Sequence, residues 1–169
     1  ARSKRYLEMA DLSRKDSGPI RELVNNIVGL EQFKDFDVIT IPEIVPADAS
    51  FDLFNFPPDH PARSKSDTYY VDDKNILRTH TTVMWYYYFQ QEEVRTKIAA
   101  NAPLGVLSHG KVYRKDEIDR NHMNIFHQMD GLYLHPTSER MITQDDLKEV
   151  LANVVKAAFG PDVKYRFND

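Results

Sequence analysis

The sequence predicts an α+β domain, an antiparallel β-sheet flanked by helices. Two long β-type runs, Leu104–Arg114 and Ile125–Leu134, are separated by a short charged stretch, the arrangement of a hairpin. Two segments with clear helical periodicity lie before and after them, so the helices fall to one side of the sheet in chain order. No internal repeat or low-complexity tract interrupts the chain.

The elements follow in order. Residues 1–16 are charged and aperiodic, and are set apart as a lead-in, expected to be disordered, ahead of a core portion spanning 17–169. From Pro19, the residues Ile20, Leu23, Val24, Ile27 and Val28 mark one helical face, with Pro19 suited to the first turn. Phe36–Ile44 reads as a strand ending near Pro42. Residues 46–66 contain Pro46, Pro57, Pro58 and Pro61 and read as a long ordered loop, in which His60 orders the proline-rich chain. Thr68–Val71 and Asn75–Arg78 flank Asp72-Asp73-Lys74 as a hairpin. A helix is expected from Thr81, as N-cap, to about Ala100, with Glu93 and Lys97 spaced to pair. The aromatic run Trp85–Phe89 is expected to pack it against the sheet or a partner subunit. The last helix is the clearest: Leu147, Val150, Leu151, Val154, Val155, Ala158 and Phe159 form one stripe, begun by Thr143 and Asp146 and stopped by Gly160-Pro161. Val163–Phe167 is expected to begin another strand.

Composition narrows the function. The 169 residues, 41% hydrophobic and 28% charged, suit one soluble globular domain. No apolar run approaches the roughly 18 residues of a membrane helix, and a cytoplasmic location is expected. The absence of cysteine excludes disulfide scaffolds, thiolate metal sites and cysteine nucleophiles. A net charge of −4 argues against an unaided nucleic-acid binder.

Chemistry concentrates in Gly110–Leu134, GKVYRKDEIDRNHMNIFHQMDGLYL. Arg114 ends one strand, where its permanently charged fork suits a phosphate. The polar stretch Lys115–Asn124 suits a flap over a nucleotide. On the return strand Phe126, Gln128 and Asp130 alternate and share a face, presenting an aromatic plate, an amide and a carboxylate. An adenine ring, a carbonyl and an ammonium group would suit them. His122 and His127 do not make a metal pair, one lying on the loop and the other on the opposite strand face; no metal ligands are assigned. His109 and His135 carry no context and read as surface residues.

The segment resembles the second signature motif of class II aminoacyl-tRNA synthetases. With His60-Pro61-Ala62-Arg63, Asp67-Thr68-Tyr69-Tyr70 and Leu77-Arg78-Thr79-His80-Thr81-Thr82 in this order, the chain is similar, from about Gly18 to Phe167, to phenylalanyl-tRNA synthetase α subunits. The resemblance implies an incomplete class II synthetase-like fold. It implies ATP-dependent activation of phenylalanine and transfer to tRNA(Phe), with magnesium accompanying ATP. Arg114, Asp116, His122 and Phe126 correspond to the ATP site, with Arg114 catalytic at the α-phosphate, and His80, Thr82, Gln128 and Asp130 to the amino-acid site. The family usually has Glu where Asp130 stands and commonly Ser where Thr82 stands, so the amino acid is expected to sit slightly differently. A β subunit in an α2β2 assembly is the implied partner.

The third, glycine-rich signature motif, with its arginine, and the Phe-Pro-rich pocket wall do not follow Val163–Phe167. The expectation is therefore a truncated or split part of a synthetase, or a natural remnant, that self-associates through the exposed sheet edge. The alternatives are a non-catalytic synthetase-like paralogue that binds nucleotide, amino acid or a partner, and a bare interaction module.

Overall fold

The computed structural model describes residues 2–115 and 118–168. Its centre is β4, Leu104–Tyr113, every residue of which is buried. It pairs antiparallel with β5, Ile125–Leu134, in a register that sets Val112 opposite Phe126, Gly110 opposite Gln128 and Ser108 opposite Asp130. On its other edge β4 takes β1, Asp37–Ile39, in parallel. The sheet is thus mixed, in the order β1-β4-β5, with its long hairpin antiparallel as expected.

The predicted strand Phe36–Ile44 divides in two. Pro42 has no amide to donate to a ladder, and after it the chain turns into β2, Ile44–Pro46, which pairs antiparallel with β3, Asn75–Leu77. The predicted loop 46–66 is mostly short helix: α3, Ala47–Phe51, then 3-10 turns at Asp52–Phe54 and Pro61–Arg63. His60 caps the last turn by accepting the Ala62 amide at 3.1 Å, as its ordering role requires. The Asp72 carboxylate receives the Lys74 and Asn75 amides at 2.8 Å each, which closes the expected turn before β3.

The single helix predicted over 81–100 is three pieces: a 3-10 turn Thr81–Val83, α4 Met84–Tyr88 and α5 Glu92–Ala99. His80 rather than Thr81 stands at the first N-cap. The crowded aromatics explain the break, because Met84 and Tyr88 are buried in the core with Val106 and Val94 while the charged face of α5 stays outside. Tyr88 also donates to Asp37 at 2.7 Å, tying α4 to β1. Burial together with the neighbouring Asp37 carboxylate raises the Tyr88 phenol above its ordinary range.

Helix α2, Pro19–Val28, and helix α6, Gln144–Phe159, pack on the other sheet face through Leu23, Ile27, Val150, Val154 and Leu107. The Thr143 hydroxyl accepts the Asp146 amide while the Asp146 carboxylate accepts the Thr143 amide, the reciprocal cap the sequence signals. Residues 163–168 form no strand, contrary to the expectation for Val163–Phe167.

The lead-in is not aperiodic coil. Arg2–Glu8 form α1, and Tyr6 and Leu7 pack on Tyr69, Leu77 and Tyr113. Ser13 is buried against His109, its hydroxyl 2.8 Å from Nδ1. His109 is therefore a core residue and not the surface residue that its lack of sequence context suggests. No described helix is long and apolar enough to cross a membrane.

Candidate functional site

The site is built where the segment 78–82 crosses the β4–β5 hairpin. Arg114 follows β4 directly. Its backbone stays in the ladder, the amide donating to Asn124 O at 3.0 Å and the carbonyl accepting Asn124 Nδ2 at 3.1 Å. Its Nε donates to Thr79 O at 3.0 Å, and its guanidinium lies 5.1 Å over the Phe126 ring. A cation on an aromatic face is favourable, and with Nε committed the Nη groups remain as the phosphate-type donors.

The next residues of 78–82 meet the return strand in turn. The Thr81 amide donates to Gln128 Oε1 at 3.3 Å, which orients the amide of Gln128. The Thr82 hydroxyl donates to Asp130 Oδ2, and the Gly131 amide donates to Asp130 Oδ1 at 2.8 Å. Asp130 is one methylene shorter than glutamate, and the hydroxyl of Thr82 reaches it directly.

His80 lies between these groups. Its Nε2 is 3.3 Å from Ser50 O and its ring stands edge-on to Phe54 at 5.1 Å. Burial pushes its pKa below the usual 6.5; the Ser50 carbonyl opposes this, the nearby Arg114 cation adds to it, and Asp130 opposes it. Its Nδ1, with Thr81 Oγ1 and Ser108 Oγ, is buried without a hydrogen-bond partner, a costly condition that a polar guest or water would relieve.

Six expected site residues therefore stand together: His80, Thr82, Arg114, Phe126, Gln128 and Asp130. His122 is bonded within its own loop, its Nδ1 2.8 Å and 2.9 Å from the two Asp119 oxygens. Asp116 lies outside the described residues. His127 is on the opposite face, accepting the Leu12 amide at 2.9 Å beside Asp11. Among the described residues no group of three or more His, Asp or Glu side chains is placed to hold a metal ion.

The sequence reading missed the layer behind the site. Arg78 and Lys111 are 1% and 2% exposed. Lys111 Nζ donates to the carbonyls of Tyr6, Leu7 and Met9 at 3.3, 3.2 and 2.5 Å and lies 3.1 Å from Glu43. A cavity of about 430 Å³ opens here, lined in part by Asp11, Arg14, Glu43, Arg78 and Lys111. Its polar groups are largely paired with one another, so this hollow is a structural seam and not the place where the six residues meet. The available signals were charged residues inside the β runs 75–78 and 104–114, and Gly110 in the middle of the second.

Comparison with known proteins supplies an independent line. Residues 6–169 match the family model described as tRNA synthetases class II core domain (F). A curated relative from Persephonella marina, named phenylalanine–tRNA ligase alpha subunit, is 35% identical over 155 residues, covering 90% of this chain and 41% of that protein. One of the same name from Pelodictyon phaeoclathratiforme is 34% identical over 154 residues, covering 88% of this chain and 42% of its own. The chain thus spans about two fifths of the length of the relatives it matches. Among solved structures, two of Desulfitobacterium hafniense pyrrolysyl-tRNA synthetase align with TM-scores of 0.64 and 0.65. They cover 93% and 92% of this chain and 52% of theirs, at 21% and 22% identity, a likeness of fold.

Proposed function

Because the chain belongs to the class II tRNA synthetase core-domain family, we propose that it carries the ATP and amino-group half of a site that activates phenylalanine for transfer to tRNA(Phe). The observation that carries the reading is the convergence of Arg114, Phe126, Gln128 and Asp130 on one hairpin face with His80 and Thr82. Two strands and one crossing segment bring a cation, an aromatic plate, an amide and a carboxylate together.

In this reading the phenylalanine carboxylate attacks the α-phosphorus of ATP and pyrophosphate leaves. Arg114 holds the α-phosphate and stabilises the charge that develops on it, a fixed cation requiring no reorganisation during the step. Phe126 supplies a platform for the adenine. Asp130 and Gln128 accept the substrate ammonium, with Thr82 and the Gly131 amide fixing the carboxylate beforehand. His80, held neutral at pH 7 by its burial, lends a polar edge without a second positive charge beside that ammonium. No covalent intermediate on the protein is required, since alignment of carboxylate and phosphate supplies much of the rate. Asp116 and His122 are the further candidates for the phosphates, from the loop. Magnesium would come bound to ATP.

The named relatives are alpha subunits, so a β subunit is the proposed partner and tRNA(Phe) the acceptor, with cytoplasmic protein synthesis as the setting. The open edge of β5, which among the described residues pairs only with β4, is the proposed point of self-association. The test is phenylalanine-dependent ATP–pyrophosphate exchange by the purified chain and its Arg114→Ala variant. Exchange abolished in the variant supports the reading, exchange unchanged in the variant sinks it, and no exchange from the folded chain removes the claim that this portion catalyses alone.

A further inference from the structure

We infer that Arg78 is a positioning residue, which replaces a missing strand at the outer edge of β4 and through Thr79 sets Arg114 over Phe126. Strand β1 covers that edge only at Val106–Ser108. Beyond it, β4 would present bare amides and carbonyls, an arrangement that does not stay buried unpaired. Arg14 takes the His109 carbonyl and Asp11 the Lys111 amide, and Arg78 closes the end of the gap from both its backbone and its side chain. Its carbonyl accepts the Tyr113 amide at 3.0 Å, and its Nε donates to Lys111 O at 2.6 Å.

The same guanidinium fixes the opposite bank. Its Nη1 donates to Ile41 O at 2.8 Å and touches Pro42 O at 3.5 Å, while the Arg78 amide donates to Glu43 O at 2.9 Å. Glu43 and Asp11 offset the burial of its charge. One side chain thus joins the turn after β1 to the end of β4. A lysine offers a single ammonium in place of this fork and cannot span both.

Gly110 makes the passage possible. A Cβ there would stand 2.2 Å from Arg78 Nη2, and Gly110 has φ +155°, which other residues rarely adopt. Gly110 faces Gln128 across the hairpin, so Arg78 packs against the β4 residue that pairs with the one proposed to bind the amino acid. The residue after Arg78 gives its carbonyl to Arg114, and Thr81 and Thr82 bond Gln128 and Asp130. A shift of Arg78 is therefore passed to the site by one peptide unit.

The inference rests on the proposed function only for its effect on ATP. The experiment uses the 15N-labelled chain and its Arg78→Lys variant, with far-UV circular dichroism and β5 amide exchange as the measure of folding. The expected result is that hydrogen exchange at Arg114 Nε rises about 10-fold in a folded Arg78→Lys. Affinity for ATP with magnesium chloride falls by a similar factor while that for adenosine, which lacks the phosphates, is unchanged. Unchanged exchange at Arg114 Nε in the folded variant overturns the inference. If the unaltered chain binds no ATP, the functional reading fails and the Arg114 signal still decides the role of Arg78. If Arg78→Lys does not fold, the unaltered chain is titrated with urea. Loss of protection at Arg78 and Arg114 Nε together supports the inference, and Arg114 released while Arg78 stays protected refutes it.

Discussion

Arg114 and Thr79 are joined by a 3.0 Å hydrogen bond from the guanidinium Nε to the peptide carbonyl. The bond fixes the plane of the guanidinium above Phe126 and leaves the Nη donors for a ligand. It also makes the residues 78–82 part of the site's frame, because Thr81 and Thr82 bind the two polar groups farther along β5.

Asp130→Asn keeps the shape of the side chain and removes its charge. The Gly131 amide remains able to donate to the amide oxygen, and the Thr82 hydroxyl can turn to accept from the amide nitrogen, so the hairpin should fold normally. Loss of a charge-assisted bond costs about 1.5–3 kcal/mol, so phenylalanine binding should weaken about 10- to 100-fold in calorimetry. ATP affinity should stay within about 2-fold, since a carboxylate that serves only the ammonium has no part in holding the phosphates.

Phe126→Leu removes the ring beneath the Arg114 cation while keeping an apolar side chain. A cation–π contact and a stacking platform of this kind are worth about 1–2 kcal/mol. ATP affinity should fall about 5- to 30-fold, and phenylalanine affinity should hardly change. Equal losses for both ligands would contradict the separate placing of adenine and ammonium.

Acid should destabilise the fold before most carboxylates titrate. Burial above all lowers the pKa of His109 from 6.5 to about 4, with Arg14 adding to the shift; His80 and His127 are lowered too, again chiefly by burial. A depressed histidine binds its proton more readily when unfolded, so stability is full above pH 6.5 and falls with pH towards the folded value. Unfolding free energies from urea titrations should drop steadily between pH 6.5 and 4, by about 3 kcal/mol from His109 alone. His109→Gln should flatten that dependence.

Much of this architecture is legible in the sequence because it depends on local periodicity. α2 and α6 have amphipathic stripes with recognisable ends, and the two long strands of the hairpin are unambiguous runs. Arg114, Phe126, Gln128 and Asp130 fall together because strand alternation fixes which side chains share a face. What the sequence hides is non-local. Arg78 looks like the polar end of a strand, and only the early stop of β1 makes it the cover for β4. His109 and Lys111 alternate like surface residues, yet Ser13 and the carbonyls of 6, 7 and 9 bury them. The helix predicted across 81–100 breaks because Tyr88 is drawn inward to Asp37, a tertiary demand that periodicity does not register.

Lys111→Met tests the docking of the lead-in. The ammonium is buried against three carbonyls and pairs with the half-buried Glu43, and leaving such partners unmatched costs about 1–3 kcal/mol. Guanidinium unfolding should show a loss of that size, and limited proteolysis should cut ahead of Ser17 where the unaltered chain resists. Unchanged stability would mean that α1 is held by Tyr6 and Leu7 alone.

The most direct test of the central claim is calorimetric binding of a non-hydrolysable phenylalanyl-adenylate analogue, which presents ring, phosphate and ammonium to the site at once. The account predicts saturable binding to the 169-residue chain, weakened at least about 10-fold by Arg114→Ala and by Asp130→Asn. Absence of binding to a chain shown to be folded, or binding indifferent to both substitutions, would contradict it.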